Sequence, residues 1–169
     1  MNERAQALAA RLIRNFNEVE TKRFHRPPLY DAVGARLAEG TAARKMGASV
    51  DIVQPGMCTC PYHLHHAQEE MFIVLEGQGT LRVAGEMLPI KAGDVIFIPA
   101  GPEYPHQIIN SSSEPIKYLS ISTMEQPEIC EYPDSNKFMA ESAKHNGTRA
   151  FEVIRKLKEG DLDYWVDEP

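Results

Sequence analysis

The chemistry of this chain is concentrated in His63-Leu64-His65-His66-Ala67-Gln68-Glu69-Glu70 and, thirty-six residues beyond Glu70, in His106. On a β-strand, side chains two apart share a face, so His63 and His65 present two imidazoles to one point. Glu70 has the wrong parity for one continuous strand with His65, so a turn at His66–Gln68 must reset the register. Glu70, Phe72 and Val74 then face one way, and a carboxylate at the head of an apolar inward face is costly unless it is paired or ligated. A divalent cation cancels that cost. His106 begins another strand after a Pro/Gly-rich turn and can join the group across a barrel, which brings three imidazoles and one carboxylate together. Mixed nitrogen and oxygen ligands suit one divalent transition metal, Fe, Mn, Ni, Co or Zn, over Ca or Mg. The missing thiolates argue against a closed structural zinc site. Four protein ligands on an octahedral ion leave two positions for substrate, water or oxygen. Glu69 is the rival carboxylate, but it faces opposite to Phe72. His66 reads as a solvated turn residue and His25 as a loop residue.

Such a site needs strands. From Ala48 to Thr123 the chain runs in short Val-, Ile- and Phe-rich segments punctuated by glycines, the pattern of a many-stranded, all-β barrel. The expected strands are Ser49–Val53, Tyr62–His65, Met71–Glu76, Gly79–Val83, Glu86–Ile90, Asp94–Ile98, His106–Asn110 and Ile116–Ser122. Turn chemistry separates them at Ala84-Gly85, Ala92-Gly93-Asp94, Pro99-Ala100-Gly101-Pro102 and Ser111–Ser113. Ahead of the barrel, Leu8, Leu12, Ile13 and Phe16 fall at helical spacing within residues 4–17 and predict an amphipathic helix docked on the domain or on a partner subunit. Behind it, Glu128–Pro133 is followed by Asp134-Ser135-Asn136-Lys137 and by a helix-like stretch around Phe151, Ile154 and Leu157. The expected layout is a single domain: an N-terminal helix and arm over 1–47, a barrel core over 48–123, and a C-terminal arm over 124–169 packed on the barrel.

The spacing of these residues resembles the cupins, double-stranded β-helix (jelly-roll) barrels. Their first motif is matched by Gly56, His63-Leu64-His65, Glu70 and Gly77, and their second by Gly93, Pro99-Ala100-Gly101, His106 and Asn110. Two gaps, Gly56 to His63 and Gly101 to His106, are longer than usual, but both extensions lie in loops. The resemblance implies that His63, His65, Glu70 and His106 are metal ligands and that Gly77, Gly93 and Gly101 serve turns. A narrower resemblance, carried by Tyr132-Pro133-Asp134-Ser135-Asn136-Lys137 and Asp163-Tyr164-Trp165-Val166-Asp167-Glu168, is to small single-domain bacterial cupins often labelled sugar-phosphate isomerases. In that group a PDSGK-like segment and a DYWDGE-like tail recur; here Asn136 replaces the usual Gly and Val166 is inserted.

The rest of the sequence bounds the partners. Its 169 residues carry a formal charge of −6, which disfavours a nucleic-acid partner. The longest apolar runs, such as Met71–Leu75, fall far short of the roughly twenty residues a membrane span needs. Three cysteines are too few for a disulfide scaffold, no secretory core is evident, and Glu3, Glu18 and Glu20 are wrong for a transit peptide, so a cytoplasmic location is expected. Cys58 and Cys60 read as buried small hydrophobes, and the glycosylation-like tripeptides at Asn110 and Asn146 as turns. Met71–Leu75 is apolar on both faces, which predicts a homodimer. A small-molecule substrate or ligand is expected, and three functions compete. The first is a metal-dependent sugar or sugar-phosphate isomerase or epimerase, with Glu103 and Tyr104 as candidate bases. The others are a non-haem iron dioxygenase and a non-catalytic binding protein. No phosphate-cradling loop is present, and the basic residues near the motifs are Arg82, Lys117 and Lys137.

Overall fold

The computed structural model describes residues 2–145, 147–157, 160 and 166–167. The expected barrel strands recur within one to three residues as β3 (Met46–Val53), β4 (Leu64–His65), β5 (Glu70–Glu76), β6 (Gln78–Val83), β7 (Glu86–Lys91), β8 (Val95–Ile98), β9 (His106–Ile109) and β10 (Ile116–Thr123). Two strands that the sequence did not announce precede them, β1 (Lys22–Arg26) and β2 (Tyr30–Arg36). His25 therefore lies on a strand and not in a loop, 3.5 Å from Asp31. The polar, arginine-rich run Lys22–Arg26 has no apolar alternation because all five residues are exposed. Its strand order is supplied by pairing to β2 alone.

One layer is a six-stranded sheet in the order β1-β2-β3-β10-β5-β8. The facing layer joins β7-β6-β9 to β4 and β11 (Glu128–Tyr132) through an antiparallel bridge between His63 and His106. The result is an all-β jelly roll whose core, Ala32, Val53, Phe72, Val74, Leu81, Ile90, Ile98, Ile108, Ile116 and Tyr118, lies between the layers. Strand alternation explains this core: Phe72 and Val74 point inward from the same strand as Glu70, as their parity requires.

The helix α1 spans Glu3–Leu12 and is shorter than the expected 4–17. Asn2 caps it by accepting from the Ala5 amide at 2.9 Å. It stops because Asn15 folds back on the chain, its side chain accepting from the Asn17 amide and its carbonyl from that of Glu18. No residue of α1 is buried, so within one chain its apolar stripe is uncovered.

Beyond the barrel, β11 and β12 (Lys137–Glu141) form a hairpin, followed by the short pair β13 (Lys144–His145) and β14 (Thr148–Arg149) and then β15 (Glu152–Lys156). The helix expected around Phe151–Leu157 is thus a strand. Val153 and Ile154 are β-branched, and hydrogen bonding to β12 along Val153↔Ala140 and Ile154↔Met139 outweighs a short helical spacing. Of the tail motif, Asp163, Tyr164, Trp165 and Glu168 lie outside the described residues. The tripeptide at Asn110 is no surface turn: the Asn110 side chain is fully buried and donates to the Val53 and Glu114 carbonyls at 2.8 Å each.

Gly77 turns the chain out of β5 at φ 79, and a Cβ there would stand 2.5 Å from the Pro115 carbonyl oxygen. Gly77→Ala is expected to cost about 2–5 kcal/mol in urea unfolding, from left-handed strain plus backbone overlap. Gly85→Ala, at φ 85 but with open space around the new Cβ, should cost only about 1–2 kcal/mol.

Candidate metal centre

β5 delivers Glu70 to the inner face, β9 delivers His106, and the segment entering β4 delivers His63 and His65. One carboxylate oxygen, Glu70 Oε2, is the hub: it lies 2.7 Å from His106 Nε2, 3.6 Å from His65 Nε2 and 3.8 Å from His63 Nε2. Ligand atoms bound at about 2.1 Å to an octahedral ion stand roughly 3 Å apart when adjacent and about 4.2 Å apart when opposite, so the 3.6 and 3.8 Å separations are compatible with a shared ion, while the 2.7 Å contact is that of a hydrogen bond. One donor atom from each of His63, Glu70 and His106 lies within 4.8 Å of the others, a group that could hold a metal ion. His65 stands just outside that tightest group while still facing the carboxylate. Glu69 is exposed, as its parity required.

The far side of each ring fixes its protonation. His63 Nδ1 donates to the Pro61 carbonyl at 2.8 Å, and His106 Nδ1 to the Tyr104 carbonyl at 3.2 Å. A carbonyl can only accept, so Nδ1 of each of these two rings carries a proton and Nε2 is the atom turned toward Glu70. His65 Nδ1 is buried without a hydrogen bond and faces Glu128 Oε1 at 3.4 Å. Glu128, fully buried on β11, also accepts from the His66 and Ala67 amides at 3.1 and 3.2 Å. It therefore holds the turn that resets the register toward Glu70 and stands behind the His65 ring.

Glu70 is surrounded by these imidazoles in a largely buried site. Burial pushes its pKa up, but the His106 hydrogen bond and the charges of His65, His106 and His63 outweigh burial and hold it below the usual carboxylate range. The residues fit a divalent cation: a buried carboxylate and the Nε2 atoms of three imidazoles converge on one point.

The inner wall beyond the centre is polar on one side. Register places Ser122 beside Glu70, then Ser120 and Ser49 beside Phe72, with Arg36 next to Ser49, and then Asp51 beside Tyr118. The Ser49 hydroxyl donates to Asp51 at 2.7 Å, and the Tyr118 hydroxyl bonds Thr59 at 2.9 Å. Burial raises the Asp51 pKa against the opposing effects of Ser49 and Arg36. At the rim, a groove of about 400 Å³ takes Glu70, Ser122 and Ile98 from the inner face and Met71, Phe97 and Ile121 from the outer one.

Other residues marked by the sequence fall away from the centre. Tyr104 is 45% exposed and lends only its carbonyl, and Glu103 is exposed, so neither side chain is a base at this site. His66 lies outside, paired with Glu131 at 2.7 Å. Arg82 is held by Asp134 through two bonds of 2.7 and 2.8 Å and stacks 3.8 Å from the Tyr62 ring centre. Lys117 is taken by Asn17 and Glu76.

Residues 49–122 match the cupin domain family. This segment of the chain is a cupin domain. An uncharacterized protein of Methanocaldococcus jannaschii is 35% identical over 57% of this chain and 66% of its own length. An oxalate-binding protein of Thermotoga maritima is 34% identical over 35% of this chain and 47% of its own. The chain thus spans less than two thirds of the curated relatives it matches. Among solved structures, a protein of Acidithiobacillus ferrooxidans provisionally named a sugar phosphate isomerase superposes with a TM-score of 0.73 at 25% identity, over 86% of this chain and 90% of the other.

The thiols take no part in this centre. Cys58, Cys60 and Cys130 are free, and Cys60 Sγ stands 3.8 Å from His63 Nδ1, on the side of the ring away from Glu70. Burial pushes Cys58 up to about 11 and Cys60 and Cys130 up to about 12. All three stay neutral at pH 8, and neutral thiols are poor nucleophiles. In the native protein a disulfide reagent at pH 8 should titrate none of them within minutes, and in denaturant all three. Rapid native modification would contradict this placement.

Proposed function

We propose that His63, His65, Glu70 and His106 hold one divalent transition metal, Fe, Mn, Ni, Co or Zn, and that the protein is an isomerase or epimerase acting on a small sugar or sugar phosphate. The observation that carries the metal is the convergence of three imidazole Nε2 atoms on a buried carboxylate oxygen. Four acceptors facing one another repel unless a cation or an extra proton stands among them. Such an ion would supply Lewis-acid polarisation of a substrate carbonyl oxygen. The chain's own part is to fix the ligands through Pro61, Tyr104 and Glu128 and to line the approach with hydroxyls. Ser122, Ser120 and Ser49 suit a polyhydroxylated ligand better than an apolar one. The name given to the Acidithiobacillus relative supports the same class of chemistry.

The outer sheet face supports a homodimer. Phe97 is 71% and Val95 48% exposed beside Met71 and Ile73, and this apolar area continues to Ile121. The exposed Leu8, Leu12 and Ile13 of the N-terminal segment are available to the same contact. Three free cysteines accord with a reducing, cytoplasmic setting. Among the described residues no helix is long and apolar enough to cross a membrane.

Replacing His63 and His65 together by Ala is expected to abolish stoichiometric metal in elemental analysis of untagged protein. Glu128→Gln should weaken metal affinity about 10- to 100-fold in chelator competition, since a partner behind a ligating imidazole tunes it by that much. For the reaction, an aldose or aldose phosphate should exchange its α-proton with deuterated water in the metal-loaded protein. Oxygen consumption without exchange would replace this reading with an oxygenase, and binding without either would leave a ligand-binding protein. Light scattering should give twice 19.0 kDa for the native chain. Phe97→Glu should give the single-chain mass.

A further inference from the structure

Of the three cations near the motifs, Arg82 and Lys117 are committed elsewhere. Lys137 is not. It is partly buried, and among the described residues it has no carboxylate partner or hydrogen bond. Its one contact of note is with an aromatic face: its ammonium lies 4.8 Å from the Tyr132 ring centre. Tyr132 in turn stacks on His63, with ring centres 6.3 Å apart and planes at 28°.

Strand register places Lys137 on the same face of the hairpin as the residue paired with His65. Cys130 pairs with His65, Tyr132 is two residues on and so shares its face, and Lys137 pairs with Tyr132. The inward face of the C-terminal hairpin thus runs from the His65 ligand position to a lysine. The turn that precedes Lys137 is pinned from several directions. Asp134 holds Arg82 in a bidentate pair, the Lys156 ammonium donates to the Ser135 carbonyl at 2.8 Å, and the Leu157 amide donates to the Asn136 carbonyl at 3.0 Å. Asn136 closes the turn at φ 50, a left-handed position that Asn accepts more readily than most residues. A cation at the end of a rigid turn is preorganised to meet an anion, because little ordering remains to be done on binding.

We propose that Lys137 is the anion anchor of the substrate site: it takes the negatively charged group of a small sugar, a phosphate or a carboxylate, whose opposite end reaches the His63–Glu70 centre. Tyr132 holds the ammonium in place and forms the wall between the two ends. The Tyr-Pro-Asp-Ser-Asn-Lys segment then has a purpose the barrel alone does not give it, with Asp134 as the lock and Lys137 as the group presented. This rests on the reading of the metal centre as the place where a sugar is bound, but it does not require that isomerisation be the reaction.

The test is calorimetric titration of metal-loaded wild type, Lys137→Met, Lys137→Arg and Arg36→Met with glucose 6-phosphate, glucuronate and glucose. Wild type should bind at least one anionic sugar about tenfold or more tightly than glucose, and which of the two it prefers separates phosphate from carboxylate. Lys137→Met should remove most of that preference, about a tenfold loss, as expected for a charge-assisted contact, while glucose affinity and metal content stay unchanged. Lys137→Arg should keep the preference within about threefold. Equal wild-type affinity for charged and neutral sugars overturns the proposal. So does a preference that survives Lys137→Met, or one abolished by Arg36→Met alone. Failure of the isomerase reading registers separately: a Lys137-dependent preference without α-proton exchange supports the anchor and counts against the isomerase.

Discussion

The centre of this structure depends on a single carboxylate oxygen. Glu70 Oε2 sits inside the barrel with three imidazole nitrogens between 2.7 and 3.8 Å away. An isolated charge in that position is expensive, so the surroundings are arranged around its compensation. Two backbone carbonyls and a second buried acid stand behind the rings and set which nitrogen carries the proton. The His63–His106 bridge brings two of the rings from different parts of the chain into register and joins the two halves of the second layer.

The same constraint ties the C-terminal hairpin to the site. Glu128 opens β11, grips the amides of the register-setting turn and stands behind the His65 ring, so removing the hairpin would free that turn as well as remove a covering strand. The hairpin is held in turn by the Arg82–Asp134 pair, whose guanidinium packs on the Tyr62 ring just ahead of His63. Exposed ion pairs of this kind contribute little by themselves, on the order of 1 kcal/mol or less. Here the pair gains from bidentate geometry and from the aromatic face beneath it.

Much of this was legible in the residues. Period-two alternation marked the barrel strands to within a few positions, and parity alone distinguished Glu70 from Glu69. Local signals failed where pairing decides structure. The polar run Lys22–Arg26 is a strand only because β2 offers it an edge, and Phe151–Leu157 mimics a helix over too few residues to resist the edge of β12. The helix boundary was missed because the Asn15 side chain takes the Asn17 amide and competes with the helix for the backbone. Glu128 and the far faces of the rings were not legible, since nothing in a one-dimensional pattern says that an acid sixty-three residues after His65 lies behind it. The two candidate bases failed for a similar reason: proximity to His106 in the chain put Tyr104's carbonyl, and not its phenol, at the site.

The most direct measurement of the central claim is anomalous X-ray diffraction from crystals of metal-loaded protein, collected on both sides of the absorption edge of the bound ion. The account predicts one strong peak per chain, about 2.0–2.3 Å from Nε2 of His63, His65 and His106 and from a carboxylate oxygen of Glu70. A protein that carries a full equivalent of metal but places the peak elsewhere, for instance between His66 and Glu131 on the outside of the barrel, would contradict it.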